Sequence, residues 1–504
     1  MHLAIAPPLA SHRYSGPSTT PPAPSPSCGT PKRLWTSTST PSTPHYSYTV
    51  LDDLTRRDKE FTRYVLNMTS LQWLNESLVD RPVWWHYMTV TVPRQLTPGL
   101  EDSAFLLMDG GDNGAQPPAH TSPLQSIIAA FAIKSGTISA CLTQIPNQPL
   151  TFPHDPQGKT SRSEDKLLAY TWWHFLTNHS DDPHRLLLFP MTKACVRGMD
   201  TVSDFILKIS AGRQRIDRFT VSGGSKRGWV AWLTAAVDRR VVSFVPIVLD
   251  LLNMTENLHH HFRAYGGWSF AFHSYYDLNI TELLDSPQMK RMSSLIDPLA
   301  YNERYRSKPK LVISSVGDEF FLLDNSHYYY QQLQGEKHLR ILPNAEHLCL
   351  GHWLSVLLSI QSFYFSTMLG HKRPTMHWNR TQSEGSGAIY LYTDTPPIKV
   401  LAYQARTLDA KRRDFRWAVA SPGRPGHILF RPIPWWSSPV SSPSPGVYMK
   451  KFLVPKFGWR AFFIEVSFSG PLGTVQTFTT EVQIIPDTFP FPQCKAQACH
   501  GTIV

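Results

Sequence analysis

No window of this 504-residue chain is apolar for the roughly 20 residues a spanning helix needs, so no transmembrane segment is expected. Cysteine is scarce, with six residues at Cys28, Cys141, Cys195, Cys349, Cys494 and Cys499. None of their spacings is that of a metal-ligand set, which excludes a structural zinc framework. Only Cys494 and Cys499 are close enough to close a small loop in an oxidising compartment. Cys141, Cys195 and Cys349 lie in apolar runs and read as buried thiols. Charge is thin as well, at 17% Asp, Glu, Lys and Arg. The net charge of +11 is scattered, apart from short clusters such as Lys411-Arg412-Arg413. No nucleic-acid-binding motif accompanies it, so it reads as a solvated surface with no nucleic-acid partner. A secretory signal is missing too: the apolar stretch 3–10 is broken by Pro7 and Pro8 and has no basic region before it. Six N-x-[ST] sequons, at Asn67, Asn75, Asn178, Asn253, Asn279 and Asn379, nevertheless argue for a secreted glycoprotein.

What the chain has is apolar mass, with 41% hydrophobic residues, 15 Trp and 26 Phe. That is enough for a large core, and the length predicts two domains plus a tail. Residues 1–45 are rich in Pro, Ser and Thr and are expected to be disordered. From 46 to 375 the texture alternates. Strands are predicted at 84–92, 104–108, 137–145, 241–248, 310–316 and 338–342. Helices are predicted at 122–132, 166–176, 193–209, 327–332 and 352–368, the second behind a capping box from Ser161 to Glu164. Strands apolar on both faces, interleaved with helices, predict an α/β-hydrolase-like, mostly parallel sheet with helices on both faces. The block 251–309 interrupts the alternation and is expected to cap the strand ends. Over 387–487, β-rich runs at 388–392, 399–403, 427–430, 461–466 and 479–484 alternate with turns. They predict an antiparallel β-sandwich domain, followed by a tail over 488–504.

The chemistry centres on Thr220-Val221-Ser222-Gly223-Gly224-Ser225-Lys226-Arg227-Gly228-Trp229. A β-branched run meets a glycine pair, a serine and an amphipathic run, the order of a nucleophile elbow. Arg227 stands where the second glycine of G-x-S-x-G belongs, and Gly228 comes one residue late. A serine hydroxyl needs a base, and hydrolases of this class order the residues as serine, acid, histidine. Asp318 follows the 310–316 strand, and His347 follows the next one. Ser225, Asp318 and His347 are therefore the expected catalytic triad, with Asp250 as an alternative acid. Asp324 reads as a helix N-cap and Glu319 as a solvated neighbour. The backbone N–H groups of Lys226 and of Gly111, in the loop after the 104–108 strand, are the expected oxyanion donors. Adjacent histidines point different ways, so His259-His260-His261 is not read as a metal site.

The elbow, with Pro246-Ile247-Val248-Leu249-Asp250, Asp80-Arg81-Pro82-Val83-Trp84-Trp85-His86, Gly317-Asp318-Glu319-Phe320-Phe321 and Gly458-Trp459-Arg460, resembles the PhoPQ-activated pathogenicity-related family over residues 46–487. That family includes the autocrine proliferation repressor proteins. The resemblance implies a hydrolase-like domain with a C-terminal β domain, in proteins usually exported. It also makes the S-K-R-G elbow a form of the family's own. Two functions follow as expectations. One is a secreted serine hydrolase without a cofactor, acting on a peptide or small ester. The other is a secreted signalling protein that uses the same fold to bind a cell-surface receptor.

Overall fold

The computed structural model describes residues 45–119, 122–158, 160–424 and 426–504. The tail expected over 1–45 lies outside the described residues apart from its last position, as does Cys28.

The larger sheet contains β1 (Ser47–Val50), β2 (Arg56–Arg57), β3 (Phe61–Gln72), β4 (Val83–Pro93), β5 (Ser103–Met108), β6 (Ile138–Leu142), β7 (Arg218–Gly224), β8 (Val241–Ile247), β9 (Lys310–Ser315) and β10 (Lys337–Leu342). Its order is β1-β3-β4-β6-β5-β7-β8-β9-β10, with β2 beside β3. The run from β6 to β10 is parallel, and β1, β3 and β4 are antiparallel additions at one side. This is the α/β-hydrolase-like architecture, a mostly parallel sheet covered on both faces.

Strand alternation sorts the side chains by face. Ala104, Leu106, Val221 and Val312 pack with the helices α2 (Glu164–Thr177), α3 (Leu188–Ile209) and α4 (Lys226–Val237). Phe105, Val245, Leu311 and Ile313 pack on the other side with α1 (Pro123–Ser135) and α8 (Trp353–Met368). The block between β8 and β9 forms α5 (Met254–Tyr265), α6 (His273–Tyr276), α7 (Pro287–Ile296) and several 3-10 turns. It is tied to α4 where Trp229 Nε1 donates to Ile296 O and Tyr305 OH donates to Trp232 O.

Besides the two-stranded antiparallel pair of Ala418–Ala420 with Ile428–Phe430, the C-terminal part holds two larger antiparallel sheets. One joins Met376–Gln382, Ser386–Thr393, Val447–Leu453 and Ser441–Ser444; the other is built around Lys399–Arg406 and Arg460–Ser469. Ile389 and Leu391 of the first share a cluster with Ala402, Phe462 and Ile464 of the second. That cluster also contains Phe105, Leu311 and Tyr364, so the two parts of the chain bury apolar surface against each other.

Several local expectations differ from the structure. The 479–484 run is two strands, Val475–Thr479 and Gln483–Ile485, because Glu481 between them turns inward to accept from Trp378 Nε1 and Gln331 Nε2. The 327–332 helix is two 3-10 turns, Asn325–Tyr328 and Tyr330–Gln332. The capping box does not form: Glu164 has φ +50° and sends its carboxylate to Arg227. The antiparallel strands begin at Met376, ahead of 387. The last residues are tied to the rest of the chain. Trp268 N donates to Thr502 O, Val504 N donates to Trp268 O, and Cys494 is disulfide-bonded to Cys499.

Candidate active site

The site grows from the end of β7. Ser225 has φ 55° and ψ −126°, a conformation disfavoured for any residue with a side chain. It is held there by its N–H, which donates to Ile247 O at 2.8 Å, and by α4 starting at the next residue. A Cβ on Gly223 would lie 2.7 Å from both Cβ and O of Arg227. One on Gly228 would lie 3.0 Å from Ile247 O and 3.1 Å from Gly223 O, whereas Gly224 faces open space. The close approach that requires a small residue thus falls at 228, and position 227 is free to carry a long side chain.

Arg227 uses that freedom. Its Nε donates to Ile145 O, and its Nη1 and Nη2 donate to Glu164 Oε2 and Oε1 at 2.9 and 2.7 Å. Lys226 Nζ reaches Glu164 Oε2 at 2.8 Å and Asp165 Oδ2 at 3.1 Å. Burial opposes the charge on Glu164, but Arg227 and Lys226 outweigh it and hold that carboxyl well below the usual carboxylate range.

The three residues nominated for catalysis meet. His347 Nε2 lies 2.9 Å from Ser225 Oγ, and His347 Nδ1 lies 2.9 and 2.8 Å from Asp318 Oδ1 and Oδ2. Asp318 Oδ1 also accepts the N–H groups of Phe320 and Phe321 at 2.7 and 3.0 Å. Burial pulls the His347 pKa down, but the Asp318 carboxylate more than offsets this and raises it above the ordinary value. Glu319 is not solvated, as expected from sequence, but buried. It accepts His347 N–H at 3.2 Å, and burial with the neighbouring Asp318 charge pushes its pKa up to about 7.

Asp250 is elsewhere. It accepts from Ser314 Oγ at 3.3 Å and makes no hydrogen bond to His347. Asp324 makes no side-chain cap; it is buried against His260 Nε2 at 2.9 Å and Arg413 Nη2 at 2.8 Å. The three adjacent histidines diverge: His259 to Asp285, His260 to Asp324, and His261 to Ser269 N–H. Among the described residues, the one group with ligand atoms close enough to share a metal is His259 with Cys494 and Cys499. Those two sulfurs are bonded to each other.

Gly111 follows β5 with φ +130°. Its carbonyl accepts from Gln148 Nε2 at 3.2 Å, and the same nitrogen donates to Glu164 Oε1 at 2.6 Å. The Gly110–Gly111 turn is thereby tied to the acid that clamps Arg227. Lys226 N–H is the first of α4 and has no partner within the helix. Beside Ser225 lies a cavity of about 30 Å³, walled by Trp172, Trp229, Leu251, Phe272, Tyr275 and Phe321. Sequence reasoning missed Glu164, Gln148 and Asp165. The available signal was Arg227 itself, since a cation in the first turn behind an elbow needs a carboxylate beside it.

The profile of the PhoPQ-activated pathogenicity-related proteins matches residues 36–416. The chain belongs to this family. A relative, autocrine proliferation repressor protein A of Dictyostelium discoideum, is 39% identical over 455 residues, covering 88% of both chains. Solved structures similar to this family member include the acetyl xylan esterase from Paenibacillus sp. R4, with 16% identity and TM-score 0.45 over 66% of this chain and 92% of that one. Another is acetyl xylan esterase 1 from Thermoanaerobacterium sp. JW/SL YS485, with 14% identity and TM-score 0.43 over 68% and 94%. Among the described residues of the family member, no helix is long and apolar enough to cross a membrane.

Proposed function

We propose that this protein is an exported serine hydrolase acting by acyl transfer on a small ester or a peptide bond. The observation that carries the reading is the hydrogen-bonded sequence Ser225–His347–Asp318 at a strained elbow. Ser225 Oγ attacks the carbonyl carbon while His347 Nε2 takes its proton. Asp318 holds the ring and stabilises the imidazolium. The N–H groups of Lys226 and Gly111 receive the developing oxyanion. His347 then protonates the leaving group, and a water deprotonated by the same nitrogen releases the acyl group from Ser225. The aromatic cavity of about 30 Å³ beside Ser225 suits a short acyl group. Export is supported by the Cys494–Cys499 disulfide and by the exposed sequons at Asn75, Asn178 and Asn379.

The test is hydrolysis of p-nitrophenyl acetate and p-nitrophenyl octanoate by the full chain. Wild type should prefer the acetate, and Ser225→Ala should lose about 10³-fold or more in kcat/KM. Hydrolysis that survives Ser225→Ala would refute the reading. A second reading, a secreted signalling protein, draws on the 39% identity to a protein named as an autocrine proliferation repressor. Full retention of growth inhibition by Ser225→Ala would favour binding over chemistry.

A further inference from the structure

A second cavity, of about 750 Å³, lies on the other side of α6 from Ser225. Phe272 and Tyr275 face the small cavity at the serine, while His273 and Tyr276 line the large one. Its far walls come from the 409–431 segment and from Thr502, Ile503 and Val504. The segment is joined to the acid turn of the proposed triad, since Trp417 N donates to Gly317 O.

The lining is charged with one sign in excess. It carries Lys411, Arg412, Arg416, Arg424 and Arg431 against the side chains of Asp409 and Asp414. Asp414 is shared between Arg416 and Arg431, and Arg416 Nη1 also donates to Val504 O at 3.0 Å. Arg412 Nε donates to Tyr265 O, a neutral carbonyl that leaves its charge uncompensated. Lys411 Nζ and the Arg424 guanidinium have no carboxylate partner among the described residues; the Asp409 carboxylate accepts the backbone N–H of Lys411. Between the cations the wall is apolar, with Tyr276, Val419, Leu429 and Ile503. The volume is that of a small-molecule site. Such a lining favours a ligand with an acidic group on an apolar body, because each half finds its complement and neither is desolvated against the wrong surface.

The geometry points to a binding site for an organic anion, a carboxylate or sulfonate on an apolar body, between α6 and the 409–431 segment. This site is separate from the serine and stands whether or not the hydrolase reading holds.

The test titrates the full-length protein with 8-anilinonaphthalene-1-sulfonate and with N-phenyl-1-naphthylamine, which has the same apolar body without the acid. The sulfonate should bind about tenfold more tightly at low salt, with the gap closing as salt rises. The double variant Lys411→Gln/Arg424→Gln should weaken the sulfonate about fivefold and leave the amine unchanged. Leu429→Glu, at a half-exposed wall position, should weaken the sulfonate more than the amine, because it adds a carboxylate for the one and removes an apolar contact for both. Equal weakening of both probes, or no change for the sulfonate, would overturn the assignment. The control is Leu354→Ser/Leu358→Ser on the exposed apolar face of α8. It should leave the sulfonate titration intact; loss of binding there would place the dye on that helix and sink the proposal.

Discussion

Asp250 and Asp318 stand just beyond neighbouring parallel strands, β8 and β9, at the same rim of the sheet. Both are nearly inaccessible to solvent. Asp318 meets the imidazole of His347 and two backbone N–H groups. Asp250 has neutral hydroxyls beside it, Ser314 Oγ at 3.3 Å and that of Tyr329. Burial pushes the Asp250 pKa up to about 7. A strand end nominates an acid, but the donors around it decide whether it serves as an ion.

The sharpest way to break this comparison is to neutralise each acid in turn. Asp318→Asn should lower kcat for p-nitrophenyl acetate about 10³- to 10⁴-fold, since the ring loses the partner that orients it. Asp250→Asn should change kcat less than about tenfold. Comparable losses from both would mean that Asp250 takes part in the chemistry.

The elbow's two glycines offer the same contrast in stability. Gly223→Ala sets a methyl 2.7 Å from the backbone O of Arg227, which cannot move without shifting α4. It should cost about 3 kcal/mol in urea unfolding. Gly224→Ala meets nothing within 4 Å and should cost less than about 1 kcal/mol.

A smaller effect separates the acids by pH. Asp250 is an acid whose folded pKa, about 7, lies above its ordinary value of 3.8. The folded state therefore binds more protons than the unfolded state between those values, and stability falls as pH rises through that window. Asp250→Asn should remove the share of that fall that Asp250 contributes, leaving a shallower slope of stability between the two values. Glu319 and Asp297, raised to about 7 and about 6, keep the remainder. For His347 the sign is the same, in a higher window. Its stabilisation by Asp318 is complete below the ordinary histidine pKa of 6.5 and is lost as pH rises through the higher folded value. Activity requires the neutral ring, so the acid limb of kcat/KM should have its half-point above pH 6.5 and move down in Asp318→Asn.

The parallel sheet was legible in the sequence because apolar runs such as 104–106 and 311–313 are buried on both faces, which leaves a signal in every residue. Ser225, Asp318 and His347 were legible because each follows such a run. Several of the differences share one cause, a distant partner. Glu164 is drawn from a cap to Arg227, 63 residues away. Asp324 is drawn from a cap to Arg413, and the 488–504 segment is drawn onto Trp268. Local pattern carries no record of such pairings. The late Gly228 was visible but unexplained until Ile247 O was placed against it.

The most direct measurement is covalent labelling by a fluorophosphonate, read by intact mass and peptide mapping. The account predicts one adduct per chain, on Ser225, abolished by Ser225→Ala and slowed at least about 10³-fold by His347→Ala. Folded wild-type protein that takes no label, or takes it at another residue, would contradict it.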